Sequence, residues 1–137
     1  MQKFSLKLKV RSYELDSQGH VNYAVYLNYC EYCRVEFMER ANLPFTYFTD
    51  QGKYIVIAEV QAKYISPAFL GDELEVTLET VKLKRSSMIL KQEIFNTATG
   101  NKIFAATLRG VFINKQGRPI PMDEKFRQLL ISDTTNH

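Results

Sequence analysis

Tryptophan is absent from the 137 residues, and only two cysteines and two histidines occur. Cys30 and Cys33 form a C-x-x-C pair. A redox pair of that spacing normally sits at a helix N-terminus after a strand, where the thiolate is stabilised. This pair falls in the middle of an apparent helix. A zinc site needs about four ligands, and only His20 and His137 remain to supply them. The pair is read as small, buried or half-buried helix residues, and neither a metal nor a cofactor is expected. No apolar run approaches the roughly 18 residues of a membrane span. No block of five like charges occurs, and the basic residues are scattered over strand faces, so no nucleic-acid partner is expected. Residues 1–7 alternate charge with apolar side chains and do not read as a signal peptide; the expected location is the cytoplasm. A serine nucleophile elbow and a glycine-rich phosphate loop are missing as well.

What is present reads as one domain, residues 1–137. Hydrophobic residues make up 45% and charged residues 24%, with eight Tyr and nine Phe. A chain of this size buries roughly two thirds of its unfolded surface, enough for a core. The net charge of +3 and pI near 8.8 suit mild attraction to anionic ligands. Residues 4–11 alternate strictly, with Phe4, Leu6, Leu8 and Val10 on one face, as a half-buried strand requires. A helix follows at 22–41, stopped by Asn42 and Pro44, with a short helical turn available between Pro44 and Gly52. Strands are expected at 54–65, 74–80, 88–95 and 103–113, punctuated by Ser66-Pro67, Gly71-Asp72, Arg85-Ser86-Ser87 and Thr99-Gly100-Asn101. Asp123 can cap a closing helix over 124–131, and 132–137 reads as a frayed tail. The expected class is α+β: one long helix covered by a curved, five-stranded antiparallel sheet. Such a sheet leaves edge strands that commonly pair in a dimer.

The chain is organised around the junction between the first strand and the helix. Asp16, Gly19, His20 and Asn22 crowd into seven residues. Behind them Tyr23, Tyr26, Leu27, Cys30, Phe37, Met38 and Ala41 recur at helical spacing and predict the buried face. Asn22 is a candidate N-cap, because its amide oxygen can accept from first-turn N–H groups. A carboxylate six residues before a helix N-terminus, with a glycine between, can fold back toward the positive helix end. Acyl chemistry uses that arrangement: a carboxylate attacks or takes a proton while backbone N–H groups polarise a carbonyl oxygen.

Asp16-x-x-Gly19-His20-Val21-Asn22, followed by Tyr26 and Glu31-x-x-Arg34, resembles the hotdog-fold thioesterases of the 4-hydroxybenzoyl-CoA thioesterase type. The resemblance runs over nearly the whole chain and takes in Tyr64-x-x-Pro67, Gly71-Asp72 and Arg85-Ser86-Ser87. It implies acyl-thioester hydrolysis, without a cofactor, in a homodimer or dimer of dimers with active sites at the subunit interface. By the same resemblance Asp16 is the catalytic carboxylate, as nucleophile or general base, and the backbone N–H of Tyr23 polarises the thioester carbonyl. Tyr13-Glu14-Leu15-Asp16 and Tyr29-Cys30 are also similar to plastid acyl-lipid thioesterases, which act on acyl carrier protein thioesters. The substrate's carrier therefore stays open between CoA and acyl carrier protein.

Each residue also has a plainer reading. Asp16 suits an Asx turn beside Gly19. His20 either holds the loop through a hydrogen bond or transfers a proton. Asn22 caps the helix and can also position the loop or a water. The Tyr23 ring is expected to pack at the helix start. Glu31 is expected on the helix surface or paired with Arg34, with a second carboxylate at the interface as the other reading. Lys84, Arg85, Ser86 and Ser87 make either a solvated strand end or a phosphate site for CoA or phosphopantetheine, since a guanidinium fork and hydroxyls suit that geometry. Lys63 is the next candidate for the same phosphate. The competing class of function is an acyl-binding hotdog module without turnover; Asp16 separates the two, because a pure binder needs no carboxylate beside a reactive carbonyl.

Overall fold

A computed structural model describes residues 1–132; of the tail expected at 132–137, residues 133–137 lie outside the described residues. In chain order the elements are β1 (Lys3–Lys9), a 3-10 turn (Ser12–Glu14), α1 (Tyr23–Arg40), α2 (Phe45–Thr49), β2 (Tyr54–Tyr64), β3 (Glu73–Leu83), β4 (Ser87–Asn96), β5 (Lys102–Ile113) and α3 (Glu124–Ile131). All strand pairs are antiparallel, in the order β1-β3-β4-β5-β2. β2 precedes β3 in the chain yet lies at the opposite margin of the sheet, against β5.

Alternation decides which face each strand buries. Phe4, Leu6 and Leu8 of β1, Leu74, Val76 and Leu78 of β3, and Ile94 of β4 all point inward and are buried. β5 adds Phe104, Leu108 and Phe112. α1 lies on this inner face and buries Tyr26, Tyr29, Cys30, Cys33, Phe37 and Met38. The buried stripe differs from the expected one at five places. Tyr29 and Cys33 are inside, Leu27 and Ala41 are half-buried, and the Tyr23 side chain is 72% exposed. Tyr23 opens the helix where the cover of the sheet ends, so its ring packs edge-on against Tyr64, 6.4 Å between centroids, and stays in water.

Both thiols of the C-x-x-C pair are wholly buried and unpaired in a disulfide. Desolvation pushes each of them up to about 12. That suits inert packing groups and not a redox couple. α2 packs Phe48 edge-on against both Phe112 and Phe126, at 5.6 Å to each, and those two rings pack on each other at 5.4 Å. Among the described residues no helix is long and apolar enough to cross a membrane.

Two features prepare the site. β2 is the bare margin of the sheet: Val56, Ile57, Val60 and Tyr64 are all exposed, followed by Ile65. A cavity of about 230 Å³ lies between α1, α3 and the inner face, walled by Phe37, Met38, Ile57, Met88, Gly110 and Phe126.

Candidate active site

The junction folds into a tight, self-bonded turn. Leu15 and Val21 form an antiparallel bridge. The Asp16 N–H donates to the His20 carbonyl at 2.7 Å, and the Asn22 N–H donates to the Glu14 carbonyl at 2.9 Å. Gly19 makes the reversal at φ +81°, a conformation open to glycine without a Cβ penalty. The returning arm then adds to the sheet: His20 bridges Phe69, and the Val21 N–H donates to the Ala68 carbonyl at 2.9 Å. This places the turn at the β3-entry end of the molecule, beside Asp72 and Val10.

Within the turn, the Asp16 carboxylate accepts on Oδ1 from the N–H groups of Gln18, at 2.8 Å, and His20, at 3.1 Å. Among the described residues no donor meets Oδ2. The side chain is exposed. One oxygen is therefore tethered, which fixes the plane of the carboxylate, and the other is open to a reactant. The Asx turn expected at Asp16 is present, and the same bonds fix where its carboxylate points. His20 contributes its backbone to the turn, and its ring stands edge-on to Phe69 at 5.1 Å.

Asn22 caps α1 as expected, accepting from the Ala24 N–H at 3.0 Å. That uses one of the orphan donors of the first turn. The Tyr23 N–H has no acceptor among the described residues. It is thus the free, positively polarised donor at a helix start that opens directly off the Asp16 turn. The Tyr23 carbonyl accepts from the Tyr64 hydroxyl at 2.9 Å, buttoning the end of β2 to this first turn. Tyr26 supports it from within, accepting from the Ala68 N–H at 3.2 Å and stacking on Phe104. Burial raises the Tyr26 phenol above its ordinary range, partly offset by that bond.

Other expected residues lie elsewhere. Glu31 is exposed at the rim of the cavity and makes no ion pair with Arg34. Arg34 instead turns inward and donates to Gln92 Oε1 at 2.8 Å, while Gln92 donates to the Cys30 carbonyl. Burial lowers the Arg34 pKa. Lys84, Arg85 and Ser86 form the β3–β4 turn, and Ser87 opens β4. The backbone of the turn is pinned by the Met122 N–H to the Arg85 carbonyl, the Phe112 N–H to the Ser86 carbonyl, and Arg127 to the Lys84 carbonyl. The Lys84 and Arg85 side chains are exposed. This turn and the Asp16 turn sit at opposite ends of β3, whose eleven residues span about 35 Å at ~3.3 Å per residue. One protomer therefore does not bring them together. Lys63 is exposed on the outer face of β2, opposite Ala105 and next to Tyr64, at the Asp16 end.

Sequence reasoning missed a buried polar cluster beneath the turn. Glu14 Oε1 accepts from the Tyr29 hydroxyl at 2.7 Å and from the Arg11 N–H at 2.8 Å, and Oε2 from Arg11 Nη1 at 3.2 Å. Burial, then the bond to Glu14, drives the Tyr29 phenol far above its ordinary range. Its own side-chain bond to Glu14 raises the Arg11 guanidinium. The only sequence signal was a glutamate directly after Tyr13 in a stretch otherwise read as turn.

Comparison with known proteins gives the family of the chain. Residues 10–130 match the thioesterase-like superfamily. The chain is 30% identical over 126 residues to a chloroplastic acyl-acyl carrier protein thioesterase, ATL3, of Arabidopsis thaliana, covering 92% of this chain and 66% of that protein. It spans about two thirds of that relative. It is 31% identical over 134 residues to the acyl-CoA thioesterase YbgC of Helicobacter pylori, covering 91% of this chain and 98% of the relative. The crystal structure of a 1,4-dihydroxy-2-naphthoyl-CoA thioesterase from Synechocystis superposes with a TM-score of 0.90 at 17% identity, over 95% of this chain and 96% of that one, which speaks to the fold.

Proposed function

Because the chain belongs to the thioesterase-like superfamily and has the hotdog fold, we propose that it hydrolyses acyl-CoA thioesters with Asp16 as the reacting carboxylate and the Tyr23 N–H as the carbonyl polariser. The observation that carries this is the Asp16 carboxylate itself. It is held by two backbone donors on one oxygen, bare on the other, in a turn that runs straight into a capped helix start. A thioester carbonyl accepting from the Tyr23 N–H gains electrophilicity at carbon. Asp16 then either takes a proton from a water that attacks that carbon, or attacks it directly to give an anhydride that water opens. In both routes the C–S bond breaks, the thiolate of the carrier leaves and takes up a proton, and the acid is released. A lost oxyanion donor typically costs ~3–4 kcal/mol of barrier, so one N–H of this kind matters.

The active unit in this proposal is a homodimer. Identical edge strands related by a two-fold axis pair antiparallel. Pairing β2 with its copy covers Val56 and Val60, and it carries the far end of the partner to the Asp16 end of this protomer. The partner's Arg85, with the flanking Lys84, Ser86 and Ser87, then supplies the phosphate site, and Lys63 lies at the same end. The apolar cavity of the partner travels with it as room for an acyl group. Its volume of about 230 Å³ is below the roughly 300–1,000 Å³ typical of drug-sized ligands, which favours a short to medium chain or a single ring.

The carrier has a second reading. The 30% identity to an acyl carrier protein thioesterase supports phosphopantetheine on a protein, which offers the same phosphate to Arg85. Assay of purified protein against short, medium, long and aromatic acyl-CoAs, with an acyl carrier protein thioester included, separates the two. With the best substrate, Asp16→Asn keeps size and hydrogen bonds but removes the charge. The expected fall in kcat is about 10²–10⁴ or more with substrate still bound. Activity within threefold of the parent would reduce Asp16 to a turn residue.

A further inference from the structure

The cluster under the turn is more than the fold requires. A buried carboxylate costs free energy unless its oxygens are all met, and replacing such a group by apolar side chains of similar volume is often neutral or stabilising. Glu14 is only 9% exposed and Tyr29 only 3%. What the polar pair adds over packing is direction. Both carboxylate oxygens are satisfied, by Tyr29 and Arg11 on Oε1 and by Arg11 on Oε2, so the Glu14 side chain has one orientation.

That orientation is passed to the site along two short paths. Glu14 is two residues before Asp16 on the same arm of the turn. Its carbonyl accepts the N–H of Asn22, the residue that caps α1. Tyr29 lies two helical turns beyond that cap, about 10 Å along the axis. The backbone bonds of the turn tie it to itself and to Ala68. Among the described residues, Glu14 to Tyr29 is the one side-chain bond between the arm that carries Asp16 and the body of α1. Displacing a reacting group by about 1 Å can cost roughly 10²-fold in rate.

We infer that Glu14 and Tyr29 are positioning residues for the reaction: their hydrogen bond, braced by Arg11, sets the Asp16 carboxylate against the first-turn N–H groups of α1. This rests on the reading of Asp16 as the reacting group. Tyr29→Phe removes the donor and little volume. It lowers kcat at least tenfold with KM within about twofold, while the melting curve stays cooperative. In an Asp16→Asn background the same change has no further effect on the residual rate, since there is no carboxylate left to place. A purely structural role would lower both backgrounds by the same factor, and that result, or a Tyr29→Phe kcat within twofold of the parent, overturns the inference. Should Tyr29→Phe fail to fold, Glu14 carries the test. Glu14→Gln keeps an acceptor for the Tyr29 hydroxyl and recovers most of the kcat lost in Glu14→Ala; equal losses in the two variants overturn the inference. An active Asp16→Asn single variant is a separate result, which removes the reading of Asp16 without any change at Glu14 or Tyr29.

Discussion

Two carboxylates two residues apart, Glu14 and Asp16, meet different fates because of their donors. Glu14 is buried with both oxygens occupied; Asp16 is exposed with one oxygen occupied. The first is held in place and the second is available. The buried thiols make a further case where environment overrides residue type. Cys30 and Cys33 are raised to about 12 from an ordinary 9 by burial. A folded-state pKa above the unfolded one gives stability that is complete below the unfolded value and is lost as pH rises toward the folded one. Chemical denaturation followed from pH 8 to 11 should therefore show stability falling from about pH 9 upward, and replacing both cysteines with alanine should flatten part of that fall. Thiol titration at pH 8 should find neither cysteine reactive in the native protein and both reactive once it is denatured.

At the scale of the element, the start of α1 is where folding meets the proposed chemistry. Asn22 satisfies the Ala24 N–H, and that of Tyr23 has no acceptor among the described residues. Asn22→Ala should cost about 1 kcal/mol of stability, seen as a drop of a few degrees in Tm, because the first turn loses its cap. Asn22→Asp caps as well and should hold the Tm near that of the parent. Lower kcat in Asn22→Ala, at a temperature well below its Tm, would report fraying of the donor proposed to face the substrate. β2 is the other telling element. Ile55, Val60, Ala62 and Tyr64 share the inner face with the partners of β5, and a bulge between Ile57 and Glu59 resets the alternation. The strand is apolar enough for a core yet stands at the margin of the sheet, which marks it as an edge awaiting a second strand.

At the scale of the whole molecule, the distance between the Asp16 turn and the β3–β4 turn is the decisive fact. Roughly 35 Å separates the ends of an eleven-residue strand, more than one active site spans, so the proposed phosphate contact works only across a dimer. Sedimentation at micromolar concentration should show a dimer or larger. A stable monomer with full activity would remove the interface site. Arg85→Ala should raise KM for the CoA substrate much more than it lowers kcat, because a remote anchor contributes uniform binding. The effect should shrink with added salt as the charges are screened. An unchanged KM at low salt would move the phosphate to another group, Lys63 first.

The elements themselves were legible in the chain because they follow from periodicity and punctuation: alternation in β1 and β3, turn residues bounding β4 and β5, helical spacing through α1, and caps at Asn22 and Asp123, which accept from Ala24 and Phe126 as those positions require. The Asp16 to Asn22 cluster was legible for the same reason, since a glycine, a capping amide and a carboxylate within one turn are local chemistry. Tertiary structure alone decided what local spacing does not encode. It put β2 at the far margin of the sheet, exposed Tyr23 where the sheet stops covering α1, and turned Arg34 inward to Gln92 and away from Glu31. It also joined Glu14 to Tyr29, fifteen positions along the chain. A hydrogen bond between two buried side chains depends on how a helix lies over a turn, and no periodicity in either segment carries that information.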